Sequence, residues 1–255
     1  MSPDPADAQA TGRKVADPRP RLMVEDEHHL CPGCGHPLAW RLIAEVLGDL
    51  ALEKRAISTI GHGCYNALMP MSDFEILQSL HGRAPSTATG IKRMLPDAFV
   101  FSIQGDGDMA NEGLQEVLHT AARGELITSI MLNNGVFGDT GGQMTVATAV
   151  GQRSKTSLAG RDAVRHGGPV PVARLVADLD GAAYVARGSV TSPGSIAHTK
   201  KMLRAAFETQ AERRGFGFVE ILTMCPTGWV VGAREGPDYL EESLASAYPV
   251  GVLKS

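Results

Sequence analysis

Residues 104–113 read QGDGDMANEG and pose a problem of charge. A glycine-rich turn after an apolar strand pattern, here AFVFSI at 98–103, offers bare backbone N–H groups and ordinarily cradles phosphate. Asp106 and Asp108 would repel one. The spacing of Gly105, Gly107 and Ala110 fits the dinucleotide fingerprint G-x-G-x-x-A. That fingerprint also asks for an acidic residue about 20 residues on, ending the second strand, to hold a ribose. The second strand ends in Asn133-Asn134 instead. A divalent cation removes the conflict. Mg²⁺ takes carboxylate and neutral oxygens and commonly sits between protein and substrate phosphates. Asp106 offers the carboxylate and Asn134 an amide oxygen, separated by Gly107, the 25 residues 108–132 and Asn133. Neighbouring parallel strands bring such ends side by side, where open α/β sheets bind ligands.

The second candidate for chemistry is sulfur. The chain has four cysteines, Cys31, Cys34, Cys64 and Cys225, and the first two form a C-x-x-C pair. In a reducing compartment disulfides are disfavoured, so the pair points to a metal site that all four thiols could share. Residue type alone leaves zinc and iron–sulfur both open.

These residues need a frame. From about residue 36 the pattern alternates helix and strand. Helices are expected over 37–54, 86–95, 112–124, 172–181 and 194–215. Strands are expected over 56–60, 99–103, 126–132, 182–187 and 216–222. Alternation at this spacing predicts an α/β fold, a parallel sheet with helices on both faces. Residues 1–20, polar and rich in Pro and Asp, are expected to be a disordered arm. Residues 21–225 are expected to form the binding domain. Residues 226–255 show no clear period and are expected to be an irregular tail lying on a partner subunit.

The totals exclude some classes. At 43% hydrophobic and 20% charged, the 255 residues have ordinary globular composition. A net charge of −4 gives no reason to expect nucleic acid. No apolar run approaches the roughly 18 residues of a membrane span, and the N-terminus has no apolar core of a secretory signal. A cytoplasmic location is expected.

Taken together, LCPGCGHPLAWRLIAEVL, HGRAPSTATGIKRMLPD, GDGDMA, NNGVFGDTGGQMT, LDGAAYVARGSV and ILTMCPTGW resemble the thiamine-diphosphate-binding beta subunit of 2-oxoacid:ferredoxin oxidoreductases, nearest the 2-oxoisovalerate (branched-chain) branch. The resemblance runs from about 29 to 230. It implies the diphosphate-binding half of a thiamine-diphosphate fold, with Mg²⁺ held by Asp106, Asn134 and the carbonyl of Val136. It places the diphosphate near Gly105, Gly107, Asp108, Gly138 and Asp139. The segments His62-Gly63-Cys64-Tyr65 and His81-Gly82-Arg83 match other cofactor-contacting stretches. Cys64, His81, Arg83 and Asp139 are the residues it sets nearest the reacting atoms.

The family's [4Fe–4S] cysteines fall on Cys31, Cys34, Cys64 and Cys225, with none left over. The activity implied is coenzyme A-dependent oxidative decarboxylation of a 2-oxoacid, with electrons passed through the cluster to ferredoxin or a similar acceptor. Pyruvate and 2-oxoglutarate are the alternative substrates. The activating glutamate comes from a partner, so alpha, gamma or delta subunits are implied. Two departures stand out. Tyr65 follows the cysteine where a small residue is usual, and Asp139 puts a carboxylate on the substrate side, which disfavours 2-oxoglutarate. Asp139 would alternatively cap a helix starting at Thr140. Three other readings are weaker. The cysteines speak against a non-oxidative thiamine diphosphate decarboxylase or synthase. Asp106 and Asn133-Asn134 speak against an NAD-binding enzyme with a zinc site. GDGD and NN are left unexplained by a purely electron-transferring subunit.

Overall fold

The computed structural model describes residues 20–24 and 27–255. Its frame is a seven-stranded sheet in the order β2-β1-β3-β4-β8-β7-β9. These strands are β1 (Ala56–Ile60), β2 (Glu75–Gln78), β3 (Phe99–Gly105), β4 (Thr128–Asn133), β7 (Ala182–Ser189), β8 (Phe216–Leu222) and β9 (Gly251–Lys254). All neighbours are parallel except β9, which runs antiparallel to β7. A separate hairpin pairs β5 (Val136–Phe137) with β6 (Gln143–Met144).

Period-2 alternation along the central strands feeds two cores. On β3, Phe99, Phe101 and Ile103 face the larger core, while Val100 packs on the other face with Ala88 and Ile127. Helices α1 (His36–Asp49) and α5 (Pro193–Ala211) cover the larger core through Trp40, Ile43, Leu47, Leu203 and Phe207. The opposite face is covered by α2 (Ala84–Met94), α3 (Leu114–Ala122) and α4 (Val172–Ala177). Both faces are dry, which is why these strands read as nearly continuous apolar runs. Ser192 starts α5 as its N-cap, accepting from the Ser195 N–H at 3.2 Å, with Pro193 in the first turn where its missing N–H costs nothing.

Three elements depart from the sequence expectations. Strand β2 was not anticipated: its four residues form an exposed edge with little burial to imprint a pattern. The helix expected from 112 is preceded by a turn of π-helix over Gly107–Glu112, a form that tends to occur at functional sites. Residues 226–255 are not an irregular tail. They form α6 (Pro226–Trp229), further helical turns over Gly236–Ala245, and β9 at the sheet edge. Trp229, Leu240, Leu244 and Tyr248 are buried in this chain's own core, and that apolar area decides where the segment lies. The expected arm at 1–20 lies, up to residue 19, outside the described residues. Among the described residues no helix is long and apolar enough to cross a membrane.

Candidate functional site

Five adjacent strands end on one side of the sheet, and the chain beyond each carries one candidate group. In sheet order β2-β1-β3-β4-β8, these are His81, Cys64, Asp106, Asn134 and Cys225. The path leaves β1 towards β2 on one side and returns to β3 on the other, so the crevice opens where the winding reverses.

A cavity of ≈ 90 Å³ lies there. It is lined by His62, Gly63, Cys64, Tyr65, His81, Gly105, Asp106, Gly107, Asp108, Asn134, Val136, Gly138 and Asp139, joined by His36, Phe137 and Thr140. The residues singled out in the sequence for the cofactor thus meet in one place, with two exceptions. Arg83, just before α2, turns away and donates from Nη1 to Glu116 Oε1 on α3 at 2.5 Å. It does not line the cavity, because that carboxylate holds the guanidinium to one side. Gly82 does not line the cavity either; its N–H donates to Asp108 Oδ1 at 2.6 Å. A larger hollow, ≈ 780 Å³, lies at the opposite ends of β1–β3, between Lys54, Phe74 and Met94. It gathers none of the candidate residues.

Asp106 is 1% exposed. Its Oδ1 accepts from the Asn134 N–H at 3.2 Å and its Oδ2 from Thr145 Oγ1 at 2.5 Å. Burial pushes its carboxyl up to about 7, against those two hydrogen bonds. Asn134 Oδ1 accepts from the Val136 N–H at 3.0 Å, and its Nδ2 lies 3.3 Å from His36 Nε2. Burial lowers His36 to about 4, so the ring is neutral. Facing an amide NH₂, Nε2 is the acceptor and the hydrogen sits on Nδ1, which has no partner. An amide oxygen has two lone pairs, so Asn134 Oδ1 keeps one for a ligand. The arrangement fits a hard divalent cation: a desolvated carboxylate, an amide oxygen and the backbone at Val136 line one cavity. Two glycines shape this wall: a Cβ at Gly107 would collide with the Phe137 ring, which packs against that turn, and Gly135 has φ +68°, which turns β4 into β5 and presents Asn134 and Val136.

Asp108, expected beside a diphosphate, has its carboxylate engaged elsewhere. Oδ2 accepts from Tyr65 Oη at 2.7 Å, Oδ1 accepts from Gly82, and His81 Nε2 lies 3.5 Å away. It braces the loops after β1, β2 and β3 against one another, and Tyr65 is the residue that makes this possible. Asp139 sits exposed in the β5–β6 turn; no helix begins at Thr140.

A second cavity, ≈ 50 Å³, is lined by Cys31, Cys34, Cys64 and Cys225, several times the ~10–15 Å³ that one water needs. The four thiols are free. The turn at 31–34 is clamped to the stretch after β8 by Gly35 N–H donating to the Met224 carbonyl at 3.0 Å, which brings the first pair beside Cys225. Burial pushes Cys34 up to about 11, and Cys64 and Cys225 up to about 12, with neighbouring thiolates adding to it and Asp139 acting on Cys64. Such thiols become thiolates only against a positive centre. Among the described residues no three His, Cys, Asp or Glu close in around a single ion. Four cysteine sulfurs bordering one void are ligands of the kind that both zinc and iron–sulfur sites use.

The two cavities share His36, Cys64, Asn134 and Gly138. At Gly138 the wall is thin: a Cβ there would lie 3.4 Å from both Cys64 Sγ and Cys225 Sγ. Sequence reasoning missed His36, Thr145, Gln152 and Trp229 at this site. Gln152 Nε2 and Trp229 Nε1 both donate to the Asn134 carbonyl, at 2.9 and 2.8 Å. His36 lines both cavities, and the other three act through the residues they touch, which spacing does not record.

Residues 61–221 match the family described as thiamine pyrophosphate enzyme, C-terminal TPP binding domain. Ketoisovalerate oxidoreductase subunit VorA of Methanothermobacter thermautotrophicus is 36% identical over 222 residues, 87% of this chain and 46% of that protein. The chain therefore spans about half the length of that relative. 2-oxoglutarate synthase subunit KorB of Archaeoglobus fulgidus is 33% identical over 197 residues, 77% of this chain and 69% of that protein. The 2-oxoglutarate:ferredoxin oxidoreductase of Magnetococcus marinus superposes with a TM-score of 0.77 over 95% of this chain and 86% of that one. At 24% identity this likeness speaks for the fold.

Proposed function

This chain belongs to the thiamine pyrophosphate enzyme family, among the 2-oxoacid oxidoreductase subunits, and on that premise we propose that it is the beta subunit of a 2-oxoacid:ferredoxin oxidoreductase. The reaction converts a 2-oxoacid and coenzyme A to acyl-coenzyme A and CO₂, with the electrons leaving to ferredoxin or a similar acceptor. One observation carries the reading: a cation–diphosphate cavity and a four-thiol cavity share a wall at Cys64 and Gly138.

Asp106, Asn134 and the Val136 carbonyl hold Mg²⁺, and the turn at Gly105–Gly107 receives the diphosphate. Thiamine diphosphate supplies the carbanion-stabilising chemistry of decarboxylation, and a [4Fe–4S] cluster on Cys31, Cys34, Cys64 and Cys225 supplies one-electron redox that zinc lacks. Phe137, packed over the Gly107 turn, and Tyr65 keep the inner wall dry, while His62 and His81, whose ring centroids are 6.1 Å apart, stand at the mouth. Neither cavity is lined by a glutamate among the described residues, which supports a partner subunit completing the site.

Branched-chain 2-oxoacids are the favoured substrates. Asp139 at the cavity mouth would face the distal carboxylate of 2-oxoglutarate, and like charges so placed repel. Asp139→Asn should raise relative turnover of 2-oxoglutarate over 2-oxoisovalerate; an unchanged ratio removes Asp139 from specificity. A reducing, cytoplasmic setting accords with the free thiols.

The test is anaerobic purification of the chain with its partner subunits. Iron, acid-labile sulfide and thiamine diphosphate should co-purify, and a one-electron dye should be reduced only with both 2-oxoacid and coenzyme A. A colourless, zinc-containing protein would overturn the reading.

A further inference from the structure

Two lines of hydrogen bonds, buried except at the Pro249 end, run from the C-terminal stretch to the loops around the cation site, and the chemistry above uses neither. The first begins at Tyr248, which is 2% exposed. Its hydroxyl donates to the Ala147 carbonyl at 2.7 Å. The Ala147 N–H donates to Thr145 Oγ1 at 3.1 Å, and that hydroxyl donates to Asp106 Oδ2. The second begins one residue on. The Pro249 carbonyl accepts from Arg187 Nη1 at 3.0 Å, and Arg187 Nε donates to Glu220 Oε2 at 2.7 Å. Glu220 Oε1 accepts from Asn133 Nδ2 at 2.6 Å, and Asn133 Oδ1 accepts from the Gly135 N–H at 3.0 Å. Gly135 is the turn that presents Asn134 and Val136. The Arg187 guanidinium lies 5.1 Å over the Tyr248 ring and joins the two lines.

The charged pair is itself buried, on the same face of the sheet as Val185 and Phe218, both fully buried. A buried ion pair rarely stabilises more than an apolar pair of the same volume, and its best-attested use is to fix geometry. Here the geometry at its end is the turn after β4.

We propose that Tyr248 and Pro249 form a positioning clamp for the cation site, acting on Asp106 through Thr145 and on Asn134 through Arg187, Glu220 and Asn133. The C-terminal segment thereby sets how tightly the chain holds its divalent cation. The proposal rests on the cation–diphosphate reading of the site.

The test uses the full chain assembled with its partner subunits. Mn²⁺ is titrated in place of Mg²⁺ with thiamine diphosphate present, and free Mn²⁺ is read by its electron paramagnetic resonance signal. Tyr248→Phe removes one bond and keeps the ring. Arg187→Met with Glu220→Gln removes both charges together, and the new amide still accepts from Asn133. Each should weaken Mn²⁺ binding about three- to ten-fold, the range for one lost hydrogen bond. Turnover should return to the wild-type value at saturating Mn²⁺. Should the paired variant fail to fold, Tyr248→Phe decides alone. Asp106→Ala is the control. If it binds Mn²⁺ as the wild type does, the cation reading itself fails. If it loses Mn²⁺ while the clamp variants bind as the wild type, the clamp alone is overturned. Weaker binding with turnover that stays low at saturation also overturns it, because that marks a general disturbance of the fold.

Discussion

Replacing Asp106 with asparagine should make the cation-free chain more stable above neutral pH. Burial moves this carboxyl from 3.8 to about 7. Between those values the native chain keeps a proton that the unfolded chain has released, so stability falls as pH rises through the window and the loss is complete above about 7. At ~1.4 kcal/mol per pH unit the whole move is worth about 4 kcal/mol. Asparagine carries no charge and escapes this cost, while poorer acceptance from Thr145 or Asn134 costs about 1 kcal/mol. The net gain is therefore about 3 kcal/mol at pH 8, shrinking to below about 1 kcal/mol at pH 5. Urea unfolding of both proteins at pH 5 and pH 8, with chelator and without thiamine diphosphate, measures the difference. The stability gap should widen with pH, and the variant should bind no Mg²⁺–thiamine diphosphate in the assembled enzyme. Parallel pH profiles would refute the argument that this carboxylate is held in place against its own solvation for a cation.

Cys225→Ser should cost cluster iron although it lies far along the chain from Cys64; full iron and acid-labile sulfide in the variant would mean a different ligand. Tyr65→Phe strips Asp108 Oδ2 of its 2.7 Å donor and should lower stability by about 1–3 kcal/mol, seen as a lower thermal midpoint. An unchanged midpoint would mean that the brace is not carried by that bond. Expressed without partner subunits, the chain should show no coenzyme A-dependent oxidation of 2-oxoisovalerate, and adding the partner should restore it. Activity of the isolated chain would mean that the activating acid lies within these residues.

Several features were legible in the sequence because they are local. The spacing of apolar residues marks the central strands β1, β3, β4, β7 and β8, since a strand buried on both faces leaves a continuous apolar run. GDG and NN end neighbouring strands, so the carboxylate of Asp106 and the amide of Asn134 meet in one cavity. The four cysteines leave none over, which directs all of them to one site. Other features belong to the tertiary structure. Strand β2 is too short and exposed to leave a pattern, so nothing in the sequence said that His81 follows a strand end beside Cys64. Arg83 and Asp108 were assigned by motif, yet Glu116 takes the guanidinium and Tyr65 takes the carboxylate, partners that lie 33 and 43 residues away in sequence. The last thirty residues look irregular because their buried side chains, Trp229, Leu240, Leu244 and Tyr248, come singly from short turns. Only the folded chain shows that they fill one core and that Tyr248 reaches the loop beside Asp106. Residue types and spacing determine which chemistry is possible. Which groups remain free to perform it is decided by contacts between distant segments, and those follow from the order of strands in the sheet.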